Sequence, residues 1–280
     1  MKLLLRASWQ PGPRHTHPAL LLVHGLGGWD GAGYTLATGQ LAFGRGWHVV
    51  RMNLRGAGDG MGLSPLLYNA GLDGDLLCAL RFLAPGLERL AVVGFSLGAN
   101  LALLLLGRRP QEVPGGLDGV VGVSPPLDLG ACAAALERPG NRLYQLYFMR
   151  GLRRAYRECQ AARPDLYAFG LERGIGTVRE YDECITARYG GYRDAAEYYA
   201  RSSAGPHLSQ ARHRALILAA QDDPMIPAES VTRWSLSPAV ALELLPTGGH
   251  VGFVSPTAAP GSFWAAERAL RFLEGDAANP

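Results

Sequence analysis

The sequence predicts an α/β chain: a mostly parallel sheet with helices on both faces and one inserted helical segment. Two patterns carry that expectation. Short runs that are mostly apolar alternate with stretches of helical length, and one long block interrupts the alternation. The apolar runs are Ala19 to Val23, Trp47 to Leu54, Leu90 to Val93, Gly119 to Val123, Ala215 to Ala219 and Val240 to Leu245. Strands with no polar face belong to a sheet covered on both sides. Parallel neighbours also need crossovers of a dozen or more residues. Tyr34 to Arg45, Asp73 to Leu83, Leu97 to Gly107 and Ala228 to Leu236 are stretches of helical length between those runs, and Phe263 to Leu273 closes the chain. Leu3 to Trp9, joined to Ala19 to Val23 by the turn-rich Gln10 to Pro18, is expected to pair with it as an antiparallel edge. From Asp128 to Ser203 no strand pattern appears, while tyrosine and arginine become frequent. A structureless loop of that length is improbable. The expected organisation is therefore a core from 1–127 and 204–280, with a helical cap from 128–203.

Composition narrows the class. Hydrophobic residues make up 48% of the 280 and charged residues 18%, which excludes a disordered chain. The 37 glycines are about twice the usual ~7%, which points to a loop-rich globule. A net charge of +3 gives no concentrated basic face for nucleic acid. Nearly all the positive charge is arginine, Lys2 being the sole lysine. Cys78, Cys132, Cys159 and Cys184 stand far apart with no C-x-x-C pair, which fits neither a disulfide scaffold nor a zinc ribbon. A reducing cytoplasm is the expected compartment. The opening Leu3 to Leu5 is too short for a signal peptide, and no apolar run approaches the ~20 residues that span a bilayer.

The chemistry-bearing residues fall at strand ends. Gly94-Phe95-Ser96-Leu97-Gly98 follows the run Leu90 to Val93 and opens the apolar stretch Ala99 to Leu106. That strand–turn–helix setting is what a nucleophile elbow requires, because flanking glycines leave room for a strained turn. His24-Gly25-Leu26-Gly27-Gly28 ends another strand, where a backbone N–H can approach a substrate oxygen. The amides of Leu26 and Leu97 are the expected oxyanion donors, with His24 orienting its loop. A serine needs a base, and the base needs an orienting carboxylate. Gly248-Gly249-His250-Val251-Gly252-Phe253 follows the last strand run, and Gln221-Asp222-Asp223-Pro224 follows the one before it. The expected triad is Ser96, Asp223 and His250, in the chain order nucleophile, acid, base. Asp223 lies three residues past Ala220 and four before Pro227, which favours it over Asp222. Asp128, after Ser124-Pro125-Pro126, is the alternative acid.

These segments make the chain resemble an α/β-hydrolase, and within that superfamily the YheT-like branch of esterases. The resemblance rests on His24 to Gly28, Asn53-Leu54-Arg55-Gly56, Gly94 to Asn100, Asp222-Asp223-Pro224 and Gly248 to Phe253. The stretch from Glu180-Tyr181-Asp182 through Tyr198-Tyr199 resembles that branch too. The resemblance implies hydrolysis of carboxylic esters, often lipid-like, with no cofactor. One departure from the family is that the sequence opens directly at Leu3, so the outermost of the usual eight strands is expected to be absent. The expected activity is that of a serine-dependent ester hydrolase acting on a small-molecule ester through an acyl-enzyme. A thioesterase or acyltransferase with the same triad, or a non-catalytic binding module on this fold, are the alternatives. No metal is expected, since His15 and His17 sit in a proline-rich turn without carboxylate or thiol partners. Arg150, Arg153, Arg154 and Arg157 are expected on the solvated face of a cap helix whose other face carries Leu152, Tyr156 and Cys159. Contact of that basic face with an anionic membrane surface is the other reading. Tyr144, Tyr147, Phe148, Tyr167, Phe169, Tyr198 and Tyr199 are the aromatics expected to line a capped site.

Overall fold

The computed structural model describes residues 2–253 and 263–275; the remaining parts of the expected core, 254–262 and 276–280, lie outside the described residues. The strands are β1 (Leu4–Ser8), β2 (Ala19–Val23), β3 (His48–Asn53), β4 (Leu90–Phe95), β5 (Leu117–Val123), β6 (Ala215–Ala220) and β7 (Val240–Leu245). The core helices are α1 (Gly33–Gly44), α2 (Asp73–Leu83) and α3 (Leu97–Arg108). Between β5 and β6 come α4 (Leu129–Leu136), α5 (Arg142–Ala162), α6 (Val178–Tyr181), α7 (Ala187–Gly190) and α8 (Ala195–Ser202). Then follow α9 (Ala228–Thr232) and α10 (Trp264–Glu274). No helix among the described residues is long and apolar enough to cross a membrane.

The strands form one seven-stranded sheet in the order β1-β3-β2-β4-β5-β6-β7. Every neighbour pair is parallel except β1 with β3, whose register pairs Leu4 with Asn53. The antiparallel edge therefore forms beside β3, not beside β2 as the short connection suggested. All five residues of β2 are fully buried, and β3 and β4 already occupy both its hydrogen-bonding edges. β1 has an exposed half and suits only an outer position.

Two apolar layers enclose the sheet. On one side Leu20, Leu22, Val49, Val93 and Phe95 pack with Ala265, Ala269 and Leu270 of α10. On the other side Leu21, Val23, Val92 and Val120 pack with the almost wholly buried α3. Gly122 of β5 leaves the hollow that Leu103 of α3 fills, because a Cβ there would lie 2.9 Å from Leu103 Cδ1. The segment returning from α8 is tied to the same helix by buried Asn100. Its Nδ2 donates to Ser202 O at 2.8 Å and its Oδ1 accepts from Ala204 N at 2.9 Å.

Between β5 and β6 there is no strand among the described residues, and the segment has its own aromatic centre. Tyr156, Tyr167 and Tyr189 meet ring to ring, with Tyr156 Oη donating to Ala168 O at 2.7 Å. Arg153 departs from the expected solvated face, since its guanidinium turns inward and donates to Ile175 O. Arg154 stays outside, paired with Glu158 one turn on.

Leu103→Ala should lower stability by about 2–5 kcal/mol, because neither β5 nor α3 can collapse into the space. Phe82→Ala, at a side chain 76% exposed, should stay within ~0.5 kcal/mol. Urea unfolding midpoints of the two variants check the contrast.

Candidate active site

β4 is the middle strand of the sheet, and Ser96 is the first residue beyond it. Its backbone sits at φ 51° and ψ −117°, a region that costs a non-glycine residue about 1–3 kcal/mol. The turn holds that strain because nothing else fits around it. A Cβ on Gly94 would lie 2.5 Å from Gly98 O, and one on Gly98 would lie 2.4 Å from Val23 O. Ser96 N–H donates to Val123 O at 2.8 Å, which anchors the turn to β5. Leu97 opens α3, so its N–H has no intrahelical acceptor and points with the positive end of the helix dipole.

His250 meets both of its expected partners. Its Nε2 lies 3.0 Å from Ser96 Oγ, and its Nδ1 lies 2.9 Å from Asp223 Oδ2. The contact with a carboxylate assigns the ring proton to Nδ1 and leaves Nε2 as the acceptor of the serine proton. The Asp223 side chain is 1% exposed. Its other oxygen accepts from Met225 N at 2.9 Å and Ile226 N at 3.1 Å, so both oxygens of the buried carboxyl are hydrogen-bonded. Asp222 points elsewhere and accepts from Gly248 N and Gly249 N, both at 2.8 Å. It thereby holds the loop that carries His250. Asp128 lies apart from this group, capping α4 through Ala131 N at 3.0 Å and pairing with Arg233.

The loop after β2 is held from both sides. Tyr34 Oη accepts Gly25 N–H at 3.0 Å and Tyr68 Oη accepts Gly27 N–H at 2.7 Å. Leu26 N–H, between them, donates to no described group. No local sequence pattern marks either tyrosine, since Tyr68 lies 41 residues from Gly27 and Tyr34 reaches Gly25 from the helix that follows the loop. His24 is fully buried beneath the loop, with Nδ1 donating to Gly25 O at 2.8 Å and Nε2 accepting from Leu54 N at 3.1 Å. Burial lowers its pKa from the ordinary 6.5 to about 4. Asn53 and Arg55 organise the neighbouring loops: Asn53 Nδ2 donates to Asp30 Oδ1 at 2.6 Å, and Arg55 forks onto Asp75 at 2.7 and 2.5 Å.

Two spaces flank Ser96 and His250. One is a narrow, half-open cavity of about 100 Å³, whose lining includes Leu97, Cys132, Ile226, Tyr198 and Tyr199. The other is a wider trough of about 1010 Å³ lined by Tyr34, Tyr144, Tyr147 and Phe263. Phe148 lines both. Of the other aromatics between β5 and β6 expected at the site, Tyr167 belongs to the tyrosine centre and Phe169 is 77% exposed. The described residues hold no cluster of His, Cys, Asp and Glu suited to a metal.

A doubly covered parallel sheet with a strained serine past its middle strand defines an α/β-hydrolase. The model of the alpha/beta hydrolase family matches residues 20–259, and the chain belongs to that family. It is 33% identical to the Escherichia coli (strain K12) protein named "Putative esterase YheT", over 93% of this chain and 78% of that one. It is 30% identical to a monoacylglycerol lipase of Saccharomyces cerevisiae over 92% of this chain, which spans only 59% of the lipase. Among solved structures, the Pyrococcus furiosus esterase Pf2001 superposes with a TM-score of 0.61 at 15% identity, over 97% of this chain and 87% of that one.

His24 gives the loop an acid limit. The folded state keeps it neutral down to about pH 4, whereas the unfolded chain protonates it near 6.5. The unfolded state therefore binds more protons between those values, and stability falls as pH falls through them. Wild type should lose about 2 kcal/mol more than His24→Gln between pH 7 and pH 5. Paired urea titrations isolate this contribution from the other buried groups.

Proposed function

We propose that the protein is a serine-dependent hydrolase of carboxylic esters, with Ser96 as nucleophile, His250 as general base and acid, and Asp223 as the orienting carboxylate. The observation that carries this reading is the unbroken contact from Ser96 Oγ through His250 to Asp223, at 3.0 and 2.9 Å, opening onto a mostly apolar cavity. The similarity to proteins named as esterase and monoacylglycerol lipase supports the ester as the bond attacked.

The proposed cycle begins with Ser96 Oγ attacking the ester carbonyl while His250 Nε2 takes its proton. The amides of Leu26 and Leu97 receive the oxyanion as it forms. The tetrahedral species collapses, His250 gives its proton to the departing alkoxide, and an acyl-Ser96 remains. Water, losing a proton to His250, attacks the acyl carbon and releases the carboxylic acid with Ser96 restored. Asp223 stays ionised throughout and stabilises the imidazolium. Residues 128–203 act as a cap, since Phe148, Tyr198 and Tyr199 come from that segment and wall the cavity.

Ser96→Ala should abolish both hydrolysis of aryl esters and labelling by a fluorophosphonate probe, with circular dichroism unchanged. Retention of near-wild-type turnover would overturn the serine mechanism. Asp223→Asn should lower kcat by about 10⁴, the cost of a lost triad carboxylate. Asp222→Asn should cost far less and act mainly on thermal stability, because it holds the histidine loop without touching the ring. Steady-state rates on folded protein at one pH rank the two.

A further inference from the structure

The narrow cavity beside Ser96 is lined by an acidic group that the proposed ester chemistry leaves unused. Asp182 opens a π-helical turn, Asp182–Thr186, and both end residues line the cavity that Ser96 and His250 also line. π-helical turns recur where a helix must aim particular side chains into a site. The Asp182 carboxyl is held from two sides: Oδ1 accepts from Thr186 Oγ1 at 2.7 Å, and Oδ2 accepts from Tyr199 Oη at 2.9 Å. Both donors are neutral, and no cation among the described residues forms an ion pair with it. Burial raises its pKa from 3.8 to about 6, so the pocket holds this group against a solvation cost. Each carboxylate oxygen accepts up to two hydrogen bonds, and each has used one.

The neighbouring polar groups have the complementary surplus. Tyr68 Oη and Tyr198 Oη each accept a backbone N–H, from Gly27 at 2.7 Å and from Ala70 at 3.0 Å. Neither hydroxyl proton has an acceptor among the described residues. Asp182, Tyr68 and Tyr198 all line the cavity, so its wall combines a carboxylate with spare acceptor capacity and two tyrosines whose O–H groups are unmatched. An alkyl group answers neither, an ammonium group answers only the acceptor, and a hydroxyl answers both. The space is small, about 100 Å³, against ~30 Å³ for one water in the liquid. It suits a group of a few heavy atoms, and the wider trough takes the rest of the ester.

We propose that Asp182, held in place by Thr186 and Tyr199, selects esters that carry a free hydroxyl on the small moiety entering the narrow cavity. This deepens the serine-esterase reading and rests on it. The hydroxyl belongs either to a short hydroxyacyl group or to a small polyol on the alcohol side, and two matched pairs of esters distinguish them. For the acyl side the pair is 4-nitrophenyl butanoate and 4-nitrophenyl 4-hydroxybutanoate. For the alcohol side it is propyl butanoate and glyceryl monobutanoate. The readout is the kcat/KM ratio, hydroxylated over plain, within each pair, for wild type, Asp182→Asn and Tyr199→Phe.

Wild type should prefer the hydroxylated member of one pair by about 10- to 100-fold, the size expected of a hydrogen bond to a charged group. Asp182→Asn should bring that ratio down to within a few-fold of one, and Tyr199→Phe should lower it part of the way. The pair that responds identifies the side that enters the cavity. A carboxylate that merely shapes the turn would change both members of a pair alike and leave the ratio intact, which overturns the inference. Wild-type hydrolysis with no preference in either pair overturns it too, without any variant having to fold, and leaves the esterase reading standing. Wild type that hydrolyses none of the four and resists the fluorophosphonate probe overturns both.

Discussion

The site depends on one steric constraint, the absence of side chains at Gly94 and Gly98. Those two positions let Ser96 adopt a positive φ between the middle strand and a buried helix, with backbone oxygens only 2.4–2.5 Å from where each Cβ would be. The strain is local but its support is global. β4 is hydrogen-bonded on both edges, and α3 is packed along nearly its whole length, so neither can relax to relieve the turn. The same close approach brings the loop after β2 against the serine: a Cβ on Gly25 would lie 3.1 Å from Ser96 Cβ. The elbow and the loop carrying Leu26 N–H are therefore one packed unit.

The histidine arrives by a different device. Its loop leaves edge strand β7, whose residues are mostly half-buried, and the described residues from 246 to 253 include no helix to stiffen it. Adjacent carboxylates divide the work. Asp223 holds the ring through Nδ1, and Asp222 holds the backbone through Gly248 and Gly249. Val251 adopts φ 67°, unusual for a β-branched residue, and Ser124 Oγ accepts its N–H at 3.2 Å. Successive residues leaving a strand point in different directions, so two aspartates at the end of β6 reach two parts of one loop.

The fold class and the strands were legible because burial on both faces leaves a compositional trace in each strand. The elbow was legible because steric demand falls on residues adjacent in sequence. The partner of β1 was not, since pairing depends on which edges the other strands have already filled. Helix ends were read less well: α9 stops at Thr232, where the expected stretch ran to Leu236, because Trp234 turns back to donate to Ser230 O at 2.8 Å. Arg153 looked solvated from its helical spacing, yet a carbonyl outside its helix draws it inward. Tyr34 and Tyr68 left no local signal, and Asp182 left only its place in the stretch from Glu180 to Tyr199 that resembles the YheT-like branch. Each matters through a partner set by tertiary packing, and their own neighbours in sequence carry no pattern that a strand, helix or turn would require.

The two spaces beside Ser96 differ in the origin of their walls, and that difference bears on how such a site diverges. The elbow, the Leu26 loop and the histidine loop all come from strand ends, where moving one backbone atom would disturb the sheet. Asp182, Thr186, Tyr198 and Tyr199 come from short helices stacked between β5 and β6, joined to the core through contacts such as Asn100 with Ser202 and Ala204. A substitution in the first group changes whether a serine can be held in its strained turn at all. One in the second changes what fits beside it, and its cost falls on the segment's packing and on its few ties to the core, such as Tyr198 Oη with Ala70 N. In the proposed function, chemistry and selectivity are carried by different parts of one chain, so the polar lining can vary while the reacting geometry stays fixed.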